Sequence, residues 1–429
     1  MEYNVAVVGE VDASKSTLIG VLSSGELDDG RGSARLHVLS LKHERETGRT
    51  SNVNTVMASI THGDDSVDIR FLDLAGHEKY INTTLKGLTS YFPNYALLLI
   101  AANRGVTKMT GEHFKACYRL NIPIIICVTK IDMTPPDVLK DTISQIKLMC
   151  KPKDKSVRIF MYDVKNDDTL ARAVKGFNES PCQIVPYFQV SNVSGVGLDR
   201  LKEFLAKIRP DVIDPSIPEF MKQSNVKKLF LVYKPYYVNG IGYVVFGKNC
   251  GVPILQRDKL LIGPINNKYQ EFTVRSIHNS KREPVTVMDT GGSGCLAMSF
   301  TKFHPSKKIL KGTVVIDNPI YVTRIVAEVI ICEHSTTVKM GYKPFINCGS
   351  ASLSGKVIGL YKKNPYPKNP KNSLALDPTV EKLDAMRIED RGFIEFELPK
   401  AQFIFIDNTI IFRDGGLRGI GVITSTFTE

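Results

Sequence analysis

The sequence predicts a three-part chain: an α/β domain on a mostly parallel sheet with helices on both faces, then two small all-β barrels. Three observations predict it. Up to residue 210, apolar runs (5–8, 67–72, 95–102, 122–128, 184–190) alternate with amphipathic stretches (110–120, 136–147, 198–208), the pattern of parallel strands covered by helices. Pro210, Pro215 and Pro218 then punctuate a linker. Beyond it, short apolar strands recur between glycine-rich turns with no helical period. The expected domains are residues 1–210, 211–319 and 320–429.

In chain order, Val5-Ala6-Val7-Val8 has the composition of a buried parallel strand. Gly9-Glu10-Val11-Asp12-Ala13-Ser14-Lys15-Ser16-Thr17 follows and opens a helical stretch over 17–22. Strand, loop and helix in that order make a P-loop. Backbone N–H groups at a helix N-terminus cradle phosphate oxygens, Lys15 reaches the β- and γ-phosphates, and the Ser16 hydroxyl ligates Mg²⁺. Ser14 departs from the pattern. Glycine is usual there because the backbone turns left-handed close to phosphate, and serine in that conformation costs about 1 kcal/mol.

The run at 67–72 leads into Asp73-Leu74-Ala75-Gly76-His77. Asp73 can hold Mg²⁺ through water, and the Gly76 N–H can sense a γ-phosphate. A lone DxxG is common; its weight comes from lying between the P-loop and Thr129-Lys130-Ile131-Asp132, which follows the run at 122–128. The Asp132 carboxylate can accept from N1–H and the 2-amino group of guanine, whereas adenine presents an acceptor at N1 and has no such amine. Charged paired bonds of this kind are strong, and leaving them unmade rejects the wrong base. Lys130 would lay its stem along the base plane. As an isolated match this would be a solvated Lys-x-Asp at a strand end. After the run at 184–190, Ser191-Asn192-Val193 offers backbone N–H groups to the guanine O6.

Together these segments resemble the translation-factor class of GTPases over nearly the whole chain. The marks are the Val11-Asp12 pair, His77 after DxxG and Gly48-Arg49-Thr50. Residues 25–32, 42–53, 71–84 and 188–199 are similar to elongation-factor-like proteins of the GTP-binding protein 1 type, and Thr129 in place of Asn fits that type. The resemblance implies a G domain followed by two barrels. It places Thr50 in the first switch, where its hydroxyl would complete the Mg²⁺ octahedron with Ser16, two phosphate oxygens and two waters, one held by Asp73. Thr47, Ser51 and Thr55 are neighbouring hydroxyls without that motif. It also implies that His77 orients the attacking water, that Val11 forms one side of a gate where Arg49 replaces an apolar partner, and that Asp12 holds a monovalent cation. Ribosome and tRNA-like partners come from the resemblance alone.

Composition agrees. A chain of 429 residues holds two to three domains, and 43% hydrophobic with 23% charged residues is ordinary for buried globular cores. The net charge of +12 points to a polyanionic partner. Eight cysteines without CxxC pairs indicate reduced thiols rather than a zinc ribbon or disulfide frame. His43, His113, His278 and His334 are scattered and suggest no metal cluster. The N-terminus lacks a targeting pattern, and no apolar run approaches the ~20 residues of a membrane span. A soluble, cytoplasmic monomer without DNA specificity is expected.

In the barrel region, strands are expected over 229–233, 242–247, 259–262 and 273–277, then over 324–332, 355–360, 392–398, 409–412 and 419–424. Residues 238–245 resemble the Gly-rich strand of translation-factor second domains, although a plain hairpin accounts for the glycines. Residues 362–371 form a proline-broken basic loop, either solvated or tracking an RNA backbone. Three functional readings follow: a ribosome-acting GTPase, a nucleotide-gated binding module with negligible hydrolysis, and a ribosome-rescue or RNA-decay adaptor.

Overall fold

The computed structural model describes residues 2–39, 50, 53–63, 65–151, 159–210, 220–222, 224–265, 267–300, 309, 313–332, 337–349, 351–362, 381–414 and 416–428, without the side chains of 82 and 416–418. Gly48, Arg49, His43, His334, Thr47, Ser51, Pro215, Pro218 and residues 363–371 of the basic loop lie outside them. Contacts divide the chain into two compact units, Met1–Leu88 with Phe92–Asp211, and Thr89–Tyr91 with Val212–Glu429.

The first unit is built on seven strands: β1 (Glu2–Gly9), β2 (Asn54–His62), β3 (Asp65–Asp73), β4 (Tyr95–Ala101), β5 (Ile124–Thr129), β6 (Phe160–Asp163) and β7 (Ile184–Gln189). Their order is β2-β3-β1-β4-β5-β7-β6. All neighbours are parallel except β2 and β3, an antiparallel pair at one edge. Every residue of β4 and β5 is buried, as the unbroken apolar runs require for central strands covered on both faces.

Among the described residues six helices accompany the sheet: α1 (Lys15–Ser24), α2 (Ile81–Ser90), α3 (Lys108–Arg119), α4 (Pro136–Met149), α5 (Asp167–Glu179) and α6 (Leu198–Lys207). Period-two alternation sorts the strand side chains between them. Tyr3, Val5, Val7, Leu97, Leu99, Ile125 and Cys127 share a core with Leu18 of α1, Phe177 of α5 and Phe204 of α6. The intervening Ala6, Val8, Leu98, Ile100, Ile126 and Val128 are equally buried and face the other way, where α3 contacts β1, β4 and β5. Local signals start the helices. The Thr107 hydroxyl caps α3 through Thr110 N–H at 3.3 Å, Pro136 occupies the first turn of α4, and Asn166 with Thr169 forms a reciprocal capping box on α5.

The second unit holds two seven-stranded antiparallel sheets, each around its own core. In the first, Lys259–Ile265 pairs with both Val314–Ile316 and Lys268–Asn279, which closes the sheet. In the second, the two end strands Ala351–Ser354 and Lys356–Tyr361 adjoin at Gly355, so the bend at this residue brings the ends of the sheet together. A Cβ on Gly355 would stand 2.3 Å from the Ile346 side chain. All eight cysteines are free, and no helix among the described residues is long and apolar enough to cross a membrane.

Candidate functional site

Parallel strands deliver their following loops to one edge of a sheet, and α/β proteins bind ligands there. Here the register pairs Gly9 with Leu99, Val7 with Asp73, Ala101 with Thr129 and Val128 with Gln189. The loops after β1, β3, β4, β5 and β7 therefore meet around one cavity of about 420 Å³. Val11, Asp12, Ser14, Lys15, Ser16, Thr17, Thr50, Gly76, His77, Lys130, Asp132, Asn192 and Val193 line it. Five cationic side chains and three carboxylates face it, a balance that suits an anion.

The phosphate loop is shaped by two close approaches. A Cβ on Gly9 would stand 2.4 Å from the Leu99 carbonyl oxygen, and one on Gly76 would stand 2.3 Å from Lys15 Nζ. No side chain fits at either position. Lys15 is buried and donates to the carbonyls of Gly9 at 3.0 Å and Glu10 at 2.7 Å. Burial pushes its ammonium down to about 8, against the opposing charges of Asp73, Asp12 and Glu10. Ser14 is left-handed, at φ 66° and ψ 28°, and caps α1 without a side-chain bond. Asp12 is also left-handed, at φ 62°. Its carboxylate accepts from the Arg104 guanidinium at 3.2 Å, so the geometry gives no support to a monovalent ion there.

Ser16 and Thr50 converge on Asp73. Both hydroxyls donate to Asp73 Oδ2 at 2.8 Å, and they lie 3.2 Å from each other. This is an all-oxygen donor set with one carboxylate, and its chemistry fits Mg²⁺. No cluster of three or more His, Cys, Asp or Glu side chains occurs among the described residues, so a zinc-type centre has no counterpart there. His77 begins a short 3₁₀ turn, and its Nδ1 accepts from Lys79 N–H at 3.1 Å. In the neutral ring the proton is thereby assigned to Nε2.

At the other end, Lys130 takes a left-handed conformation, φ 60°, that ends β5 and turns the chain towards Asp132. The Thr129 hydroxyl donates to the Ala13 carbonyl at 3.2 Å, fastening this loop to the phosphate loop. The Ser191 hydroxyl accepts from the N–H groups of Val193 at 3.2 Å and Ser194 at 3.0 Å. Those two donors are therefore engaged within their own turn. The buried Asn192 Oδ1 has no hydrogen-bond partner among the described residues, and a buried acceptor at a cavity wall calls for a ligand or ordered water. Sequence reasoning missed Arg31, Arg35, Asn103 and Arg104, which also line the cavity. They belong to no phosphate or base motif: the strand order brings in Asn103 and Arg104 after β4, and the segment between α1 and β2 brings in Arg31 and Arg35.

Residues 2–211 match the family described as the elongation factor Tu GTP binding domain. GTP-binding protein 2 of Homo sapiens is 31% identical over 99% of this chain and 69% of its own length. The chain belongs to the elongation-factor-like, translation-factor class of GTPases. Within this family, GTP-binding protein 1 of Xenopus laevis is 32% identical over 99% of the chain, and the chain spans 63% of that relative's length. The translation elongation factor SelB from Methanococcus maripaludis, in complex with a GTP analogue, superposes with a TM-score of 0.66 at 18% identity, over 99% of this chain and 79% of that one. The Ski7 GTPase-like domain of S. cerevisiae, bound to GTP, gives 0.64 at 14% identity, over 99% and 97%. At those identities the two structures speak for the fold alone.

Proposed function

We propose that this chain binds GTP and GDP with Mg²⁺, hydrolyses GTP to GDP and phosphate, and acts with the ribosome and aminoacyl-tRNA or a tRNA-like RNA. One observation carries the nucleotide part: Lys15, Lys130 and Asp132 reach a single cavity from loops that the parallel strands align. In this reading residues 9–17 and Gly76 hold the phosphates, Thr129, Lys130 and Asp132 select guanine, and Ser191, Asn192 and Val193 close over the base. With the engaged N–H groups of Val193 and Ser194, the Asn192 N–H is left as the donor for O6. Ser16, Thr50 and, through water, Asp73 would hold Mg²⁺, which supplies charge neutralisation at the phosphate oxygens. His77 orients the attacking water by donating from Nε2, a consequence of the bond at Nδ1.

Ribosome and tRNA partners, a cytoplasmic location, a monomeric state and the domain limits at 210 and 319 complete the proposal. The partners rest on the family and on the +12 charge, and the domain limits on the change of sequence pattern after residue 210. The left-handed Ser14 favours a second reading, a nucleotide-gated binding module with negligible hydrolysis. GTP turnover, measured with and without ribosomes and aminoacyl-tRNA, separates the two. Stimulated turnover supports the first reading, and GTP binding without turnover under all conditions supports the second.

A further inference from the structure

Between α1 and the first switch, residues 28–35 form a wall of the cavity to which neither reading above assigns a role. The segment turns at Gly30 and Gly32, with φ of 79° and 91°. A single buried carboxylate organises it. Asp28 Oδ2 accepts from Gly30 N–H at 3.1 Å and Gly32 N–H at 3.2 Å, and Oδ1 accepts from Ala34 N–H at 3.0 Å. The neighbouring Asp29 accepts from Arg31 N–H at 2.8 Å and Ser33 N–H at 3.2 Å, and these bonds hold its carboxyl below the usual range. Five N–H groups are thus collected by two side chains, an arrangement that fixes the backbone from within.

Both ends of the segment are fastened to the proposed nucleotide machinery. Asp28 N–H donates to the Asn192 carbonyl at 2.9 Å, and the Leu27 methyls stand 3.5 Å from where a Cβ on Gly195 would lie. At the far end Ala34 packs on α1 so closely that a Cβ on Gly20 would be 2.0 Å from its carbonyl oxygen. The segment therefore runs from the base loop to the helix behind the phosphate loop. None of these contacts involves Asp73, Gly76 or Thr50, where a terminal phosphate would lie. Arg31 and Arg35 reach the cavity from this wall. Among the described residues neither guanidinium has a hydrogen-bond or ion-pair partner, while the backbone that presents them is held rigidly. A guanidinium fork matches phosphate oxygens better than any other side chain.

Resting on the nucleotide reading above, we propose that residues 28–35 are a built wall of the site. Arg31 and Arg35 bind the phosphates that GDP and GTP share. The test measures GDP, GTP and guanosine affinities for the wild type, Arg31→Ala and Arg35→Ala, with guanosine followed by competition. Each variant is expected to lose about tenfold or more for GDP and GTP alike, the cost of a charged hydrogen bond, and to bind guanosine as the wild type does. Unchanged guanosine binding also shows that the base loop remains folded. Wild-type affinity for GDP and GTP in both variants overturns the proposal, and so does a loss confined to GTP, which would move the contact to the terminal phosphate. A wild type that binds neither nucleotide overturns the nucleotide reading itself, before any variant is compared.

Discussion

Ser14→Gly isolates the one position where the phosphate loop departs from its usual composition. At φ 66° and ψ 28° the serine Cβ is forced towards its own carbonyl, a strain of about 1–2 kcal/mol that glycine escapes. The hydroxyl offers no return through capping, because α1 begins without a side-chain bond from it. Affinity compares two folded states, so the extra freedom of glycine in the unfolded chain drops out of the comparison. Where the free loop relaxes from this conformation and the phosphates restore it, relief of about 1 kcal/mol tightens binding roughly fivefold, and about 1.4 kcal/mol tightens it tenfold. Titration calorimetry with GDP and GTP reads this directly. Ser14→Ala is the control: it removes the hydroxyl, keeps the Cβ and is expected to match the wild type. The reasoning fails if Ser14→Gly binds no better than the wild type, or if Ser14→Ala improves binding equally.

Asp132→Asn is expected to shift preference from guanine to xanthine nucleotides, because an amide N–H satisfies the 2-oxo group that a carboxylate repels; unaltered GTP affinity in competition assays would exclude Asp132 from base reading. His77→Ala should keep GTP binding while ribosome-stimulated turnover falls by about 10² or more, and full turnover in that variant would remove His77 from the chemistry. His113 is fully buried, and both ring nitrogens lack partners among the described residues. Burial, and then the charge on Lys15, push its imidazole from 6.5 down to about 3. The unfolded chain therefore takes up the proton first, and stability falls as pH drops from 6.5 towards 3. Between pH 7.5 and 5.5 the wild type should lose about 1.4 kcal/mol more than His113→Leu, and equal losses in urea unfolding would contradict the burial argument.

The fold was legible where burial is uniform. Continuous apolar runs identified β4 and β5 because central parallel strands have no polar face. The edge strand β2 was not legible: it reads Asn-Thr-Val-Met-Ala-Ser-Ile-Thr-His, exposed on alternate positions, and its antiparallel pairing with β3 follows the turn at Gly63. Helix α5 was missed although its Asn166–Thr169 capping box stands in the sequence, because Thr at the fourth position is a weaker signal than Glu or Gln. In the site, residues within sequence motifs could be named in advance, since each loop brings its own chemistry. Arg104 could not. Its approach to Asp12 joins residues 92 positions apart, and only the adjacency of β1 and β4 places it there.

The Thr129 hydroxyl on the Ala13 carbonyl links loops 116 residues apart, and the cavity as a whole draws on strand ends from β1 to β7. A nucleotide seated there would be a cross-brace over nearly the full length of the first unit, and the free energy of its binding would add to the shared core and paired strands that already join those segments. By mass action, a ligand at a hundred times its Kd adds about 2.7 kcal/mol to the stability of everything it spans. If the proposed nucleotide binds there, the stability of the first unit would rise with the logarithm of the nucleotide concentration around it, and depletion of that pool would weaken the sheet from its first strand to its last.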